Sequence, residues 1–451
     1  MSKPGSHHSV HFRSMVLLLT LIMLVLSCDR PRMSAVADKK DVAEQERLLA
    51  ELSALGYAGF VIEEMNEKRI GVVKADTTRT LRGVTIFGTR TGIPNGYFFD
   101  HEGKELGRLI PRPENGSSLL WMEPASDGNL VILGRGYLIK TNWSGETIWE
   151  APKRVYHHGF TQRLDGTIVA MAQKHRVVQY DNREISMLDD EILEISSSGE
   201  ILRSFSILDL LGPEMIPEPL LQRSADSSDF APGTGRDPVL EGTLAVDNNF
   251  DVFHLNSVEI IPRDIGVANA GDLLICLRTL NLILIVSLDP YEIVWLWDEG
   301  RTTLDRPHAP HLLDNGNILI FDNGWKRGYS RLVELDPRQE VIVWQYVANP
   351  PKSFYTRRGG MVQVLPNGNL LVTQSDAGRV FEITREGEIV WDFWNPVLDF
   401  TKDEKTPKRK NIYRAWRWFR NDIPDLDTPL PRLCTEILSS CTQRESGFKD
   451  Q

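Results

Sequence analysis

The chain of 451 residues has only four cysteines, and none forms a CxxC pair or another closely spaced ligand set. A structural zinc site is therefore not expected, and no cofactor motif stands out. Basic surplus is missing as well: 51 Lys and Arg stand against 62 Asp and Glu, a formal charge of -11. That balance argues against a general nucleic-acid binder, which needs a basic surface, but allows a local cationic pocket for a small anion. The apolar run from Met15 to Leu26 is shorter than the roughly 20 residues a bilayer-spanning helix requires.

What is present begins with that run. Lys3 and Arg13 precede it as a weakly positive start, the run itself fits the h-region of a secretory signal, and it ends Leu24-Val25-Leu26-Ser27-Cys28. The ending resembles a bacterial lipobox, which makes Cys28 the expected lipidation site and residues 1–28 a lipoprotein-type signal peptide. An exported protein held to the cell membrane by a lipid anchor, facing the periplasm or the exterior, is the corresponding expectation. Residues 29–75 read as a linker with one short helix, where Asp41 to Leu55 puts Leu48, Leu52 and Leu55 on one side. Cys434 and Cys441 are near enough in sequence to close a small disulfide loop in an oxidising compartment. Cys276, inside Leu273-Leu274-Ile275-Cys276-Leu277, reads as a buried thiol.

From residue 76 to 400 the sequence is β-rich and repeats. Each unit has a polar Asn-Gly or Asp-Gly turn, two apolar strands, then a Gly-Glu turn leading to a strand that often carries tryptophan. Leu365-Pro366-Asn367-Gly368-Asn369 through Val390-Trp391 is the clearest copy. Others start at Asp314-Asn315-Gly316, Gly271-Asp272, Asp127-Gly128 and Asp165-Gly166, and a degenerate sixth runs from Val84 to Lys104. Successive short antiparallel sheets of this kind predict an all-β, six-bladed propeller. The dipeptides are expected to supply the positive φ of tight hairpin turns. Trp149, Trp295, Trp344 and Trp391 occupy equivalent places and read as packing between blades. Residues 214–240 read as a surface insertion, and residues 401–451 as a helical or coil extension that wraps the outside or closes the ring.

Histidines stand ahead of three of the turns: His157-His158, His254, and His308 with His311. The innermost strand of a blade runs along the central channel, so these positions would deliver imidazoles from separate blades to one mouth. A single such histidine is more often structural; three at matching positions point to a cluster. Periodicity alone does not separate a catalytic cluster from a metal site.

His254-Leu255-Asn256-Ser257-Val258, the strand end Cys276-Leu277-Arg278, and His308 thirteen positions before Phe321-Asp322-Asn323-Gly324 resemble the bacterial arylsulfate sulfotransferases. The similarity runs over most of residues 120–396 and continues through Gly359-Gly360 and Asp376-Ala377-Gly378-Arg379. The resemblance implies transfer of a sulfuryl group from a phenolic sulfate ester to a phenol without a nucleotide sulfate donor. It implies His308 as the residue that becomes sulfated, His254 and Arg278 on the sulfuryl oxygens, and His158 or His157 as the third imidazole. His311 remains an alternative to His308, and Asn256 joins the binding residues. The stretch Asp264 to Gly271 departs from the family pattern by lengthening the hairpin between His254 and Arg278. A non-catalytic envelope scaffold and a metal- or quinone-dependent propeller oxidoreductase are the competing readings. Partners are then an aryl sulfate, a phenolic acceptor and the membrane, with a homodimer left open and no metal required.

Overall fold

Among the described residues, six antiparallel sheets form the blades, five of four strands and one of five, one for each sequence repeat. The computed structural model describes residues 69–89, 95–113, 117–217, 251–399 and 408–419, all within one unit, Ile62–Gln451. Four blades are continuous in sequence. Blade 2 comprises Ser117–Pro124, Leu130–Arg135, Tyr137–Thr141 and Thr147–Glu150. Blade 3 comprises Val155–Gln162, the long pair Ile168–Tyr180 and Arg183–Ile195, and Ile201–Ser206. Blade 4 has Leu255–Ile260, Leu273–Leu277, Leu282–Leu288 and Tyr291–Trp297, and blade 5 has His308–Leu312, Ile318–Asp322, Arg331–Asp336 and Val341–Tyr346.

The other two blades borrow a strand from a distant part of the chain. Blade 6 (Met361–Val364, Leu370–Gln374, Arg379–Ile383, Ile389–Trp394) gains Gly71–Ala75 as a fifth, outermost strand. Blade 1 (Val84–Thr89, Gly96–Phe99, Glu105–Leu109) takes Ile412–Trp418 as its innermost strand. Residues 412–418, expected as part of a helical or coil extension, are therefore a strand that completes the first blade. Local pattern could not show this, because the strand's partner lies more than three hundred residues earlier. First strands of successive blades touch one another around the ring.

The six-bladed propeller expected from the repeats is the architecture observed, and its core explains the near-continuous apolar strands. Six clusters of buried side chains fill the six gaps between neighbouring blades. In Leu273–Leu277, alternate residues Leu273, Ile275 and Leu277 pack toward blade 3 while Leu274 and Cys276 pack toward blade 5. A strand buried on both faces cannot alternate apolar with polar, hence the unbroken apolar run. Cys276 is the buried free thiol expected.

Outer-strand tryptophans bridge blades with hydrogen bonds as well as area. Trp149 donates to Ser197 O of the next blade (3.0 Å), Trp344 to Arg385 O (3.1 Å) and Trp391 to His101 O (2.9 Å). The turns differ from expectation in one respect. Only the glycine takes positive φ, as in Gly128 (79°) and Gly316 (86°), while the preceding Asp or Asn does not. Gly316 N–H reaches Leu313 O (2.9 Å) and Asn315 Oδ1 accepts from Asn317 N–H (2.9 Å), so each turn is a tight loop closed by a left-handed glycine.

The borrowed strand is locked by a buried ion pair. Arg417, in the closing strand, donates to Glu382 of blade 6, and both side chains are fully buried. Arg417 also donates to Leu81 O (2.8 Å), and Gln363 exchanges two hydrogen bonds with the Arg417 main chain (2.7 and 2.9 Å).

No described helix is long and apolar enough to cross a membrane. The expectations for Cys28, the helix from Asp41 to Leu55, most of the 214–240 insertion, and Cys434 with Cys441 lie outside the described residues.

Breaking this latch tests the closure. Removing one partner of a buried ion pair typically costs about 3–5 kcal/mol, because the other charge stays buried alone. Arg417→Met is expected to lower the urea midpoint of the whole propeller, measured by tryptophan fluorescence; an unchanged midpoint would remove the latch from the account.

Candidate active site at the channel mouth

The inner strands do not enter the channel as regular strands. The ladder slips between Leu255 and Ser257 in blade 4, between His308 and His311 in blade 5, and opposite His157 to Gly159 in blade 3. Within these bulges His158 (φ 61°) and Ala309 (φ 42°) take left-handed backbone, as does His254 (φ 53°) just before the slip in blade 4. A bulge turns consecutive side chains away from strict alternation, and a histidine with positive φ is held there at a conformational cost. The result is that imidazoles from blades 3, 4 and 5 meet at one end of the channel.

His157 Nδ1 and His158 Nδ1 lie 2.6 Å apart, and the His158 and His254 rings meet edge to face with centroids 4.8 Å apart. Asp251 accepts a hydrogen bond from His254 Nδ1. At the other end of the row, His157 Nε2 is 3.1 Å from Asp190 Oδ1, while Asp190 Oδ2 takes Leu255 N–H (2.9 Å). The order is carboxylate, three imidazoles, carboxylate.

His308 is held from behind by an amide whose orientation is forced. Asn323 Nδ2 donates to Thr356 O (3.0 Å) and Gly359 O (2.7 Å), so its Oδ1 must be the atom facing His308 Nδ1 at 2.7 Å. The imidazole therefore donates from Nδ1, and its Nε2 carries the lone pair. His254 follows the same logic, because a carboxylate can only accept from its Nδ1. Two imidazoles thus present basic Nε2 atoms while their Nδ1 protons are pinned.

Arg278 is 1% exposed, and His308 2%. Arg278 N–H donates to His254 O (3.1 Å), placing it directly across the hairpin from that histidine. The longer Asp264–Gly271 turn sits at the opposite end of the hairpin, beyond the Ile260–Leu273 pair, and does not displace it. Asn256 donates to Pro307 O (2.8 Å), tying blade 4 to the residue just before His308.

Charge and burial act together on these rings. Burial, then the positive charge of Arg278, holds the His308 pKa well below the ordinary 6.5. Burial also holds His158 well down, with His157, His254 and Arg414 adding to it. For His254, burial lowers the pKa against the opposing pull of Asp251. His311 goes the other way: burial is outweighed by Glu259, whose carboxylate lies 2.9 Å from Nδ1, and its pKa rises. His311 is thus engaged in an ion pair further along the strand, apart from the row of imidazoles.

Of the residues singled out from sequence, His158, His254, Arg278 and His308 come together, with His157 and Asn256 packed behind. Four further participants emerge. Asp251 was readable as an acid three residues before His254, and Asn323 lies within the Phe-Asp-Asn-Gly motif. Asp190 and Arg414 carried no local signal. Arg414, from the closing strand, reaches across the channel to Asn256 O (2.6 Å) and sits over the Trp121 and Tyr413 rings. Among the described residues, no group of three or more His, Cys, Asp or Glu is placed to hold a metal ion.

The model for the arylsulfotransferase (ASST) family matches residues 124–396 of the chain. No curated protein matches it. Among solved structures, a protein of unknown function from Bacteroides caccae aligns at 13% identity and a TM-score of 0.41, covering 69% of this chain and 94% of that one. A streptogramin B lyase aligns at 13% identity and a TM-score of 0.39, covering 76% and 93%. The virginiamycin B lyase of Staphylococcus aureus aligns at 9% identity and 0.37, covering 71% and 87%. Likenesses this remote carry nothing about chemistry.

The Asp251–His254 contact has a measurable consequence. Asp251→Asn removes the charge that supports the imidazolium, so the His254 pKa is expected to fall further. Titration of the imidazole signals by NMR reads this directly, and a rise would contradict the assignment.

Proposed function

The chain belongs to the arylsulfotransferase family, and from that premise we propose that it moves a sulfuryl group from an aryl sulfate to a phenolic acceptor through a sulfated His308. The observation that carries the reading is the pinned His308. Its Nδ1 proton is committed to Asn323, its Nε2 is a lone-pair nitrogen, and its lowered pKa keeps it neutral at physiological pH.

In the first half-reaction His308 Nε2 attacks sulfur, the sulfur–oxygen ester bond breaks, and the aryloxide departs with the bonding pair. Arg278 offers fixed donors to the sulfuryl oxygens, which stay anionic throughout. The entering sulfate brings a negative charge beside His254, which favours its protonated form; this imidazolium supplies the proton for the departing oxygen. In the second half the acceptor phenol gives its proton to His254, its oxygen attacks sulfur, and the nitrogen–sulfur bond breaks to restore neutral His308. Donor sulfate and acceptor phenol become donor phenol and acceptor sulfate, with no proton gained or lost.

Asp251 is the orienting group for His254, since it stabilises the imidazolium and fixes which nitrogen faces the substrate. His158 lies beside His254 and extends the basic surface toward blade 3. Arg414, bonded to Asn256 O, adds positive charge that acts on His158 and His308. The same proposal includes export and anchoring through Cys28, supported by the apolar run that ends at that cysteine.

Two measurements test the proposal. Purified protein is expected to transfer from 4-nitrophenyl sulfate to phenol without any nucleotide, with parallel double-reciprocal lines, and His308→Ala is expected to reduce turnover to background; undiminished turnover in that variant removes the nucleophile. The pH profile of kcat/KM carries the sign of the His308 shift. A nucleophile with lowered pKa stays deprotonated below 6.5 and is lost only as pH falls through the lowered value. The acid limb should therefore be centred below 6.5, and one centred above it would argue that another group attacks.

A further inference from the structure

Beside the imidazoles, three guanidinium groups from three different segments gather about one indole. Trp325 has Arg357 Cζ 4.3 Å, Arg306 Cζ 4.6 Å and Arg278 Cζ 6.0 Å from its ring centroid. Arg278 is fully buried, whereas Trp325, Arg306 and Arg357 are half-exposed. The group therefore leads from the sulfuryl site out to solvent.

The backbone around it is built to hold this arrangement. Trp325 follows Asn323, the His308 partner, by two residues, and Gly324 (φ 69°) turns the chain between them with its N–H on Asp305 O (2.9 Å). Arg306 precedes His308 by two residues, also with positive φ (62°), and its N–H donates to Asn281 Oδ1 (2.8 Å). Arg357 N–H and Arg358 N–H both donate to Asp376 Oδ2 (2.6 and 3.1 Å). The nearby carboxylates, Asp305 and Asp376, accept from main-chain amides of Lys326, Arg327, Arg357 and Arg358. They shape the rim and moderate its positive field.

We propose that Trp325, with Arg306 and Arg357 against it, seats the aryl ring of the substrate, and that the two outer guanidiniums select rings carrying a second anionic substituent. The proposal rests on the sulfuryl-transfer reading for its orientation: one sulfuryl group on Arg278 points its aryl ring toward the indole. An indole and planar guanidiniums both stack on aromatic rings, which favours aryl over alkyl esters. With the sulfuryl group on Arg278, the two outer guanidiniums lie beside the far end of the ring. A carboxylate or sulfonate there meets positive charge in a partly desolvated rim, where Coulomb attraction is stronger than in open water.

Binding of stable analogues tests this apart from catalysis, because a sulfonate has no ester bond to transfer. Calorimetry with the whole protein is expected to show 4-sulfobenzoate binding about threefold to tenfold tighter than benzenesulfonate at low salt, with the difference shrinking as salt screens it. Trp325→Leu should weaken both ligands about fivefold or more, and Trp325→Phe should restore part of the loss. Arg357→Gln should erase most of the preference for the dianion while leaving benzenesulfonate less affected. Equal affinity for the two ligands in the unsubstituted protein overturns the selectivity. Unchanged binding by a folded Trp325→Leu overturns the seat itself. A protein that binds in the expected pattern but transfers nothing sinks the catalytic reading and keeps this site; one that transfers without the pattern sinks this site alone.

Discussion

Closure of the ring by Ile412–Trp418 is the constraint on which both architecture and chemistry depend. That strand supplies the inner edge of the first blade, and without it five complete blades would leave an open sheet edge on the channel. Arg417 fastens it to Glu382 of the last blade, deep enough that neither charge meets water. Three residues earlier the same strand sends Arg414 across the channel to blade 4. One segment therefore both closes the toroid and brings a guanidinium near His158 and His308, so ring closure and the make-up of the candidate site are linked.

The mouth shows how a rigid scaffold changes the charge state and tautomer of ordinary side chains. Each inner strand would, if regular, alternate its side chains between the two neighbouring blades. Bulges with left-handed His158 and Ala309, and the slip that follows left-handed His254, break that alternation where the channel opens. The local strain is tolerable because six packed interfaces hold the strands on both sides. Burial then lowers the pKa of His158, His254 and His308, while hydrogen bonds to Asn323 and Asp251 choose which nitrogen of His308 and His254 remains basic. The two effects are separate: burial sets the charge of the ring, and the hydrogen bond sets its tautomer.

The sequence was informative where a pattern repeats or a motif is local. Asn-Gly and Asp-Gly turns at recurring intervals revealed the blade number, and the tryptophans at equivalent places showed where blades clamp. His254 with Asn256, and His308 thirteen positions before Phe321-Asp322-Asn323-Gly324, were visible because hairpins keep such residues within a short stretch, whereas the hydrogen bond from His308 to Asn323 was not. The separation of His308 from His311 was not visible. Both precede the same turn, and only the bulge between them sends one to Asn323 and the other to Glu259. His157 and His158 are likewise adjacent, and their division into a carboxylate contact and a ring contact follows from the left-handed backbone at His158.

The amino-acid order by itself determined the repeat, the apolar strands and which residue types would face the channel, because these follow from short-range periodicity and turn chemistry. Tertiary structure alone decided that residues 412–418 form a strand, that Arg414 and Asp190 join the site, and that three arginines from separate segments share Trp325. Those relations join residues tens to hundreds of positions apart, and a ring brings them together only when its two ends have met.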